Sequence, residues 1–310
     1  MVILSLCDGI SGGQLAFDKL GIKFDGIKNK YFASEIDDKA IKVTQFNFPN
    51  TIHIGDITKV KYSNNTLYTE NGNFNVGKID ILIGGTPCQG FSISGKKLNF
   101  NDPRSKLIFE YFRIKNEVNP QYFLLENVRM PDNIADAIDE LVKVKRIFIN
   151  SVDFTGHIRK RYYWTNIHIS EWEKKDLYIK DIIDNSIPYD KDMNFFLSRT
   201  QYAPTTSSDG IITINPKDNN GKQTWQRGRV YDIEGKCPTI CASLFDLNIT
   251  KDHKTYRKLT INECRTLQGI PEWFKFNVSK NDAGKLLGNG WTIDVIAHIL
   301  KNIKINNKTK

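Results

Sequence analysis

A cysteine follows a proline at the end of an apolar run: Ile79-Asp80-Ile81-Leu82-Ile83 leads into Gly84-Gly85-Thr86-Pro87-Cys88-Gln89. Proline fixes its own φ and drives the preceding Thr86 towards extended backbone, so Cys88 sits on a stiff turn. Three uses of such a thiol are open: packing, metal binding or nucleophilic attack. A packed cysteine needs no stiff turn, whereas a thiolate nucleophile needs a fixed line of approach. Two further stretches carry chemistry. Leu125-Glu126-Asn127-Val128 embeds an acid in apolar sequence, where burial favours the protonated form and lets the carboxyl donate near neutrality. His157-Ile158-Arg159-Lys160-Arg161 places two guanidiniums on alternate residues, which on a strand share one side and suit a planar or anionic group.

These residues need elements to hold them. Val2–Leu6, Tyr31–Ser34, Thr51–Ile54, Ile79–Ile83 and Tyr122–Leu125 are nearly continuous apolar runs, as expected of strands buried on both faces. Helical spacing fills Gly13–Leu20, Asp38–Phe46 and Ser105–Asn116 between them. The alternation predicts βαβ units: an α/β fold with a mostly parallel sheet and helices on both faces. Arg146–Phe154 and Arg161–Ile169 add two strands as a hairpin-like edge. Ligands of such sheets lie outside the carboxyl ends of the strands. There the sequence puts a glycine-rich turn (Ser5 to Gly13), then Glu35, then Asp56. The glycines permit close backbone approach, although the turn is not G-x-G-x-x-G. Glu35 can accept the two ribose hydroxyls of a nucleoside, and Asp56 can accept from an exocyclic amine.

After Glu171 the character changes to Pro, Asn, Asp, Ser and Thr with short strands such as Ile211–Ile214 and Thr239–Ala242. The regular pattern returns at Lys258, where Thr260 and Glu263 have the spacing of a capping box, and a last helix is expected over Thr292–Ile303. This organises the chain as a first domain over 1–172, a small loop-rich β domain over 173–257 and a return to the first domain over 258–310. A net charge of +9 suits a polyanionic partner. The five cysteines are scattered, no signal peptide opens the sequence, and reduced thiols in the cytoplasm are expected. Cys237 and Cys241 lack a second pair and read as core thiols, so no metal is expected. A membrane is excluded as partner, since no apolar run approaches about 18 residues.

Taken together, the motifs resemble the cytosine-5 DNA methyltransferase family. Gly84 to Ser92 is similar to its Pro-Cys loop, Glu126-Asn127-Val128 to its ENV motif and Arg159-Lys160-Arg161 to its R-x-R motif. Arg257 to Pro271 resembles its R-x-L-T-x-x-E segment, and Leu287-Gly288-Asn289-Gly290 its closing motif. The resemblance runs from first strand to last helix and spares only the inserted region. It implies a Rossmann-like class I methyltransferase fold that transfers a methyl from S-adenosyl-L-methionine, leaving S-adenosyl-L-homocysteine, to C5 of a flipped-out cytosine in a short sequence of double-stranded DNA.

Under the resemblance Cys88, after Pro87, is the nucleophile that forms a covalent bond to C6. Glu126 holds N3 and the exocyclic amine, Asn127 belongs to the same motif, Arg161 binds the O2 side and Arg159 supports the site. The cofactor contacts implied are Cys7, Asp8, Gly9, Ile10, Gly12, Gly13, Glu35, Ile36, Asp56, Ile57, Leu107, Asn289 and Trp291. DNA contacts fall to Ser92, Lys96, Lys97 and Arg104 of a loop closing over the base. Within the inserted target-recognition domain, Gln226 is placed to fill the vacated position, Arg229 belongs to the recognition framework and Thr239 touches a phosphate. Cys7-Asp8-Gly9 departs from the family's Phe-Ala-Gly or Phe-Asp-Gly, and Trp291 stands where Val is usual, as in the animal de novo branch. A tRNA cytosine-5 methyltransferase and an inactive DNA-binding paralogue are the rival readings. The implied enzyme is a bacterial or phage monomer, and a solitary role, a cognate restriction endonuclease as partner and a phage anti-restriction role are all open.

Overall fold

The computed structural model describes residues 1–87, 106–243 and 245–304. The expectations for Cys88, Ser92, Lys96, Lys97 and Arg104 therefore lie outside the described residues. The chain divides into two compact units, one of Met1–Ile149, Lys160–Glu171 and Val295–Lys310, the other of Asn150–Arg159 and Trp172–Asp294.

The first unit runs β1 (Val2–Leu6), α1 (Gly12–Lys19), β2 (Lys30–Ser34), α2 (Asp38–Asn47), β3 (Ile52–His53), β4 (Lys61–Ser63), β5 (Thr66–Thr69), β6 (Gly72–Asn75), β7 (Ile81–Gly85), α3 (Leu107–Val118), β8 (Tyr122–Val128), α4 (Asp132–Val142), β9 (Ile147–Asn150) and β10 (Lys160–Thr165). Its main sheet has the order β3-β2-β1-β7-β8-β10-β9. The pairs from β3 to β8 are parallel, and β10 runs antiparallel to β8. The chain leaves β1 towards β2 and β3, then returns to β7 on its other side, which makes the β1/β7 boundary a topological switch point.

Alternation along the strands feeds two layers of core. Leu4, Leu6, Phe32, Leu82 and Leu125 pack with Ile108, Tyr111 and Ile114 of α3 and with Ile134, Ile138 and Val142 of α4. On the other face α1 sits so close that a Cβ on Gly13 would lie 2.3 Å from Ile83 Cδ1. The strands β4, β5 and β6 form a separate antiparallel meander that the apolar runs did not foretell. Its first turn, Asn64-Asn65, has φ of 49° and 60°, a conformation asparagine tolerates.

The second unit carries a six-stranded sheet of short strands, ordered Lys191–Asp192, Thr255–Lys258, Asn248–Thr250, Val230–Asp232, Ile212–Thr213 and Thr205–Thr206. The expected strand over Thr239–Ala242 is irregular chain instead, and Arg146–Phe154 breaks into β9 and a helical turn, Val152–Thr155. Helix Lys280–Asn289 groups with this unit, whereas the motif-based bounds assigned it to the returning part of the first. Packing explains the grouping: a Cβ on Gly288 would lie 2.1 Å from the Ala242 nitrogen, and one on Gly284 2.1 Å from Phe245 Cδ1.

Thr260 caps helix Ile261–Leu267 with the expected reciprocal box, and Glu263 also pairs with Arg257 at 2.7 Å, both side chains 3% exposed. Burial would push the Glu263 carboxyl up, but bonds from Arg257 and from the Thr260 and Asp184 amides outweigh it and hold it below its ordinary value. Because the folded value is depressed, this pair stabilises at neutral pH and fades as pH falls through that value. Glu263→Ala should cost about 3–5 kcal/mol at pH 7, the range for breaking a buried pair. Urea unfolding should show that difference shrinking in acid; a constant difference down to pH 3 would contradict it.

Candidate active site

The carboxyl ends of β1, β2 and β3 meet at one edge of the first unit. Asp8 N–H donates to Ser34 O at 3.0 Å, Gly9 N–H to Glu35 Oε2 at 2.8 Å, and Ser34 Oγ to Gly55 O at 2.7 Å. Glu35 Oε1 also accepts from the Ile36 and Asp37 amides at 2.8 and 2.9 Å. Three of its roughly four acceptor positions are thus committed to backbone. Gly9 has φ 59° with open space where a Cβ would stand, and Ile36 beside it is 71% exposed. An open glycine turn, a carboxylate and an exposed apolar side chain suit the turn, ribose and base of a nucleoside.

Other expected contacts are placed differently. Ile10 and Ile57 are buried, and Leu107 packs half-buried against the core. Gly13 packs α1 closely on Tyr31 and Ile83, and Gly12 is buried with it. Asn289 and Trp291 belong to the second unit, where Asn289 is exposed and Trp291 half-buried.

Asp8 is the centre of a cluster that the sequence did not disclose. Its carboxylate accepts from Tyr31 OH at 2.7 Å and from the hydroxyls of Ser5 and Ser11. Burial pushes its carboxyl up to about 6; the three hydroxyls pull the other way and the charge of Glu35 adds to the rise. Cys7 beside it has its thiol pushed up to about 12 by burial and by the carboxylates of Glu35, Asp56 and Asp8. Burial likewise raises Cys237 and Cys264. Each of these three therefore stays a neutral thiol at pH 7, unsuited to attack.

Asp56 starts a turn of 3₁₀ helix, its Oδ1 accepting from Thr58 N–H at 2.8 Å. Its own N–H donates to Glu70 Oε1 at 2.7 Å, and Glu70 lies against Gly55, where a Cβ would meet Oε1 at 2.1 Å. Asn71 Nδ2 bonds His53 O at 3.2 Å. The turn of the unforeseen meander thus clamps the end of β3. No signal local to Glu70 reveals this, because the partners are 14 residues apart.

At the end of β7, Asn127 of β8 is 1% exposed and its Nδ2 donates to Thr86 O and Oγ1 at 3.3 and 3.2 Å. The residue before Pro87 is thereby fixed, with Pro87 itself half-buried. Glu126, 8% exposed, pairs through Oε1 with Arg161 Nε at 2.8 Å across the β8–β10 pair. The acid embedded in apolar sequence thus has a charged partner. Arg159 precedes β10, which begins at Lys160. It is 4% exposed in the second unit, its guanidinium on the carbonyls of Ile240, Gly288 and Gly290 at 3.4, 3.2 and 2.6 Å, so it braces the Asn289 turn.

In the same unit His157 Nε2 accepts the Ile240 amide at 2.9 Å, and Thr239 Oγ1 donates to Ile158 O at 2.6 Å. Gln226 Nε2 donates to Thr239 O at 3.3 Å and Arg229 Nε to Thr224 O at 2.9 Å. Cys237 and Cys241 contact backbone carbonyls through sulfur.

A mostly parallel sheet with a glycine-rich first turn, carboxylates at the next two strand ends and an acid–arginine pair beyond the switch point defines a Rossmann-like α/β protein of the class I methyltransferase type. The C-5 cytosine-specific DNA methylase model matches residues 1–157 and 145–305. The type II methyltransferase M1.ScrFI of Lactococcus lactis subsp. cremoris is 31% identical over 99% of this chain and 79% of its own. M.FnuDI of Fusobacterium nucleatum, also a type II methyltransferase, is 28% identical over 98% of this chain and 94% of its own. The solved structure of the Entamoeba histolytica methyltransferase EhMeth shares the fold, with a TM-score of 0.68 at 16% identity and 97% coverage of both chains. The chain belongs to the C-5 cytosine-specific DNA methylase family. Among the described residues no helix is long and apolar enough to cross a membrane.

Two outcomes test the geometry. The folded value of Asp8 lies above its unfolded one, so ionisation costs stability as pH rises through about 6. Thermal melts should show the wild type losing ground to Asp8→Asn between about pH 4 and 6, with little further change above that, and parallel profiles would refute this. Glu70→Ala should speed hydrogen exchange at the Asp56 amide by about 5-fold, the scale of one lost hydrogen bond, while Glu70→Gln keeps an acceptor and changes it little. Equal exchange in all three proteins would show that Glu70 does not hold the turn.

Proposed function

We propose that this protein is a DNA (cytosine-5) methyltransferase, taking its methyl group from S-adenosylmethionine and acting on a cytosine turned out of double-stranded DNA. The observation that carries this reading is the Glu126–Arg161 pair next to the Asn127 clamp on Thr86, which brings an acid, a cation and the start of the Pro87-Cys88 turn to adjacent strand ends. A stacked base cannot reach groups at a strand end, so the cytosine must leave the helix.

In the proposed reaction Cys88 thiolate forms an Sγ–C6 bond, and the electron pair of the C5=C6 bond moves towards C5. Glu126 holds N3 and the exocyclic amine, stabilising the resulting enamine, and Arg161 fixes Glu126 while facing the O2 side. When bound, S-adenosylmethionine supplies an electrophilic methyl group and leaves as S-adenosylhomocysteine. C5, having gained the methyl, loses its proton to a base; the electron pair reforms C5=C6 and expels Cys88 as thiolate. The open turn at Gly9, the Glu35 carboxylate and exposed Ile36 fit the nucleoside part of that cofactor, and the Asp8, Glu35 and Asp56 carboxylates suit its positive charge. Cysteine serves better than serine because some thiolate is present at neutral pH.

Residues 173–257 act as the target-recognition domain in this reading. The partner is duplex DNA in the cytoplasm of a bacterial or phage-infected cell, with the enzyme monomeric and a restriction endonuclease as its companion. The type II methyltransferase relatives support a restriction-modification context, and the charge of +9 suits DNA as partner.

Incubation with S-adenosylmethionine and unmethylated genomic DNA, followed by bisulfite sequencing, should protect cytosines in one short context. DNA carrying 5-fluorocytosine there should become covalently attached, since fluorine cannot leave as a proton does. Cys88→Ser should bind DNA but neither turn over nor trap. Methylation of tRNA with no protected DNA cytosine would replace the DNA reading, and full activity of Cys88→Ser would remove the nucleophile assignment.

A further inference from the structure

Trp225 is the most exposed large apolar side chain among the described residues, at 89%. Its loop is nevertheless held rigidly. Buried Asn215 donates to Gly228 O at 2.7 Å and accepts from Val230 N–H at 2.8 Å. Buried Asn248 donates to the carbonyls of Arg227 and Arg229 at 3.2 and 3.1 Å. Thr224 Oγ1 donates to Asn215 O at 2.8 Å, and Arg229 Nε to Thr224 O. The carbonyls of Trp225 and Gln226 accept from the Gly228 and Arg229 amides at 2.8 and 3.2 Å. Every carbonyl from Thr224 to Arg229 is thus bonded, two of the donors being asparagines at most 4% exposed. Polar side chains buried in this way fix a shape. Here the shape they fix is one that holds an indole out in water.

We infer that Trp225 enters DNA and stacks in the place vacated by the flipped base, the role the sequence suggested for Gln226. This rests on the base-flipping reading above. Exposed Lys217, Lys222 and Arg227 flank the indole in sequence, against the single acid Asp218, a balance that suits phosphates and not the charge-poor centre of a protein interface. An indole offers one ring N–H but a broad π-face. Inside a duplex, such faces become available only where a base has left the stack. Gln226 is half-buried with its amide turned to Thr239 O, so the outward position belongs to its neighbour.

The test uses two synthetic duplexes bearing the context that bisulfite sequencing protects, one with the target cytosine paired to guanine and one with it opposite an abasic site. Trp225→Ala should lower kcat/KM on the paired duplex by about 10-fold or more, the scale of one lost base–aromatic stack. On the second duplex, where the base is already unpaired, the loss should be several-fold smaller, and Trp225→Phe should restore most activity on the first. Trp225 is exposed, so folding is not at stake. An equal loss on both duplexes, or none on either, overturns the inference while the methyltransferase reading stands. A wild-type enzyme that methylates no DNA overturns both.

Discussion

Parallel pairing of β1 with β2 on one side and β7 on the other is the constraint on which the first unit depends. It sends the chain outward in two directions from one strand, so that the turns after β1, β2, β3, β7 and β8 all emerge at the same edge. Close approach is part of the arrangement: a Cβ on Gly84 would lie 2.9 Å from Leu6 O and 3.0 Å from the Tyr111 ring. Apolar side chains fill both faces of the sheet, which leaves chemistry to the turns. Besides bonds within each turn, Glu35 accepts from Gly9 N–H and Ser34 Oγ donates to Gly55 O, which ties each turn to the next one across.

Carboxylates at this edge have the same chemistry and different surroundings. Glu35 accepts from amides, Asp8 from hydroxyls and Asp56 from a local amide, while Glu126 pairs with a guanidinium. Amide and hydroxyl partners shape loops, because they bring no charge. The guanidinium beside Glu126 brings a full one, which makes that pair the electrostatic feature of the β8 end. Glu70 comes from a meander outside the main sheet, yet reaches the end of β3 and gives the Asp56 turn its second support.

The second unit solves a different problem. Its strands are two to four residues long, too short for ladders to define the loops between them. Side chains take over: Asn215, Asn248, Thr224 and Arg159 reach backbone carbonyls that no strand partner satisfies. Loops fixed this way can present side chains in directions that a regular sheet would not allow, as Trp225 shows.

Local pattern determined much of this protein. The strands and the alternation of the first unit, the Thr260–Glu263 cap and the positions of the glycine turn, Glu35, Asp56 and Glu126 were legible because each depends on neighbours within a few residues. Helix Asp132–Val142 is legible too, in the spacing of Ile134, Ile138 and Val142. Only the tertiary structure decided who answers whom. Of Arg159 and Arg161, two residues apart, Arg161 lies within β10 and pairs with Glu126 on β8, whereas Arg159 precedes the strand and reaches the carbonyls of Ile240, Gly288 and Gly290. Gly13 has a packing constraint that the sequence does not show, since the proximity of Ile83 arises from a strand 70 residues away. Ser5 and Ser11 stand three residues either side of Asp8, but Tyr31 reaches Asp8 and Glu70 reaches the Asp56 amide only through contacts created when the chain folds. Spacing in sequence reports periodicity and local bonds; the pairing of charges and donors across turns depends on distances that exist only after the chain has folded.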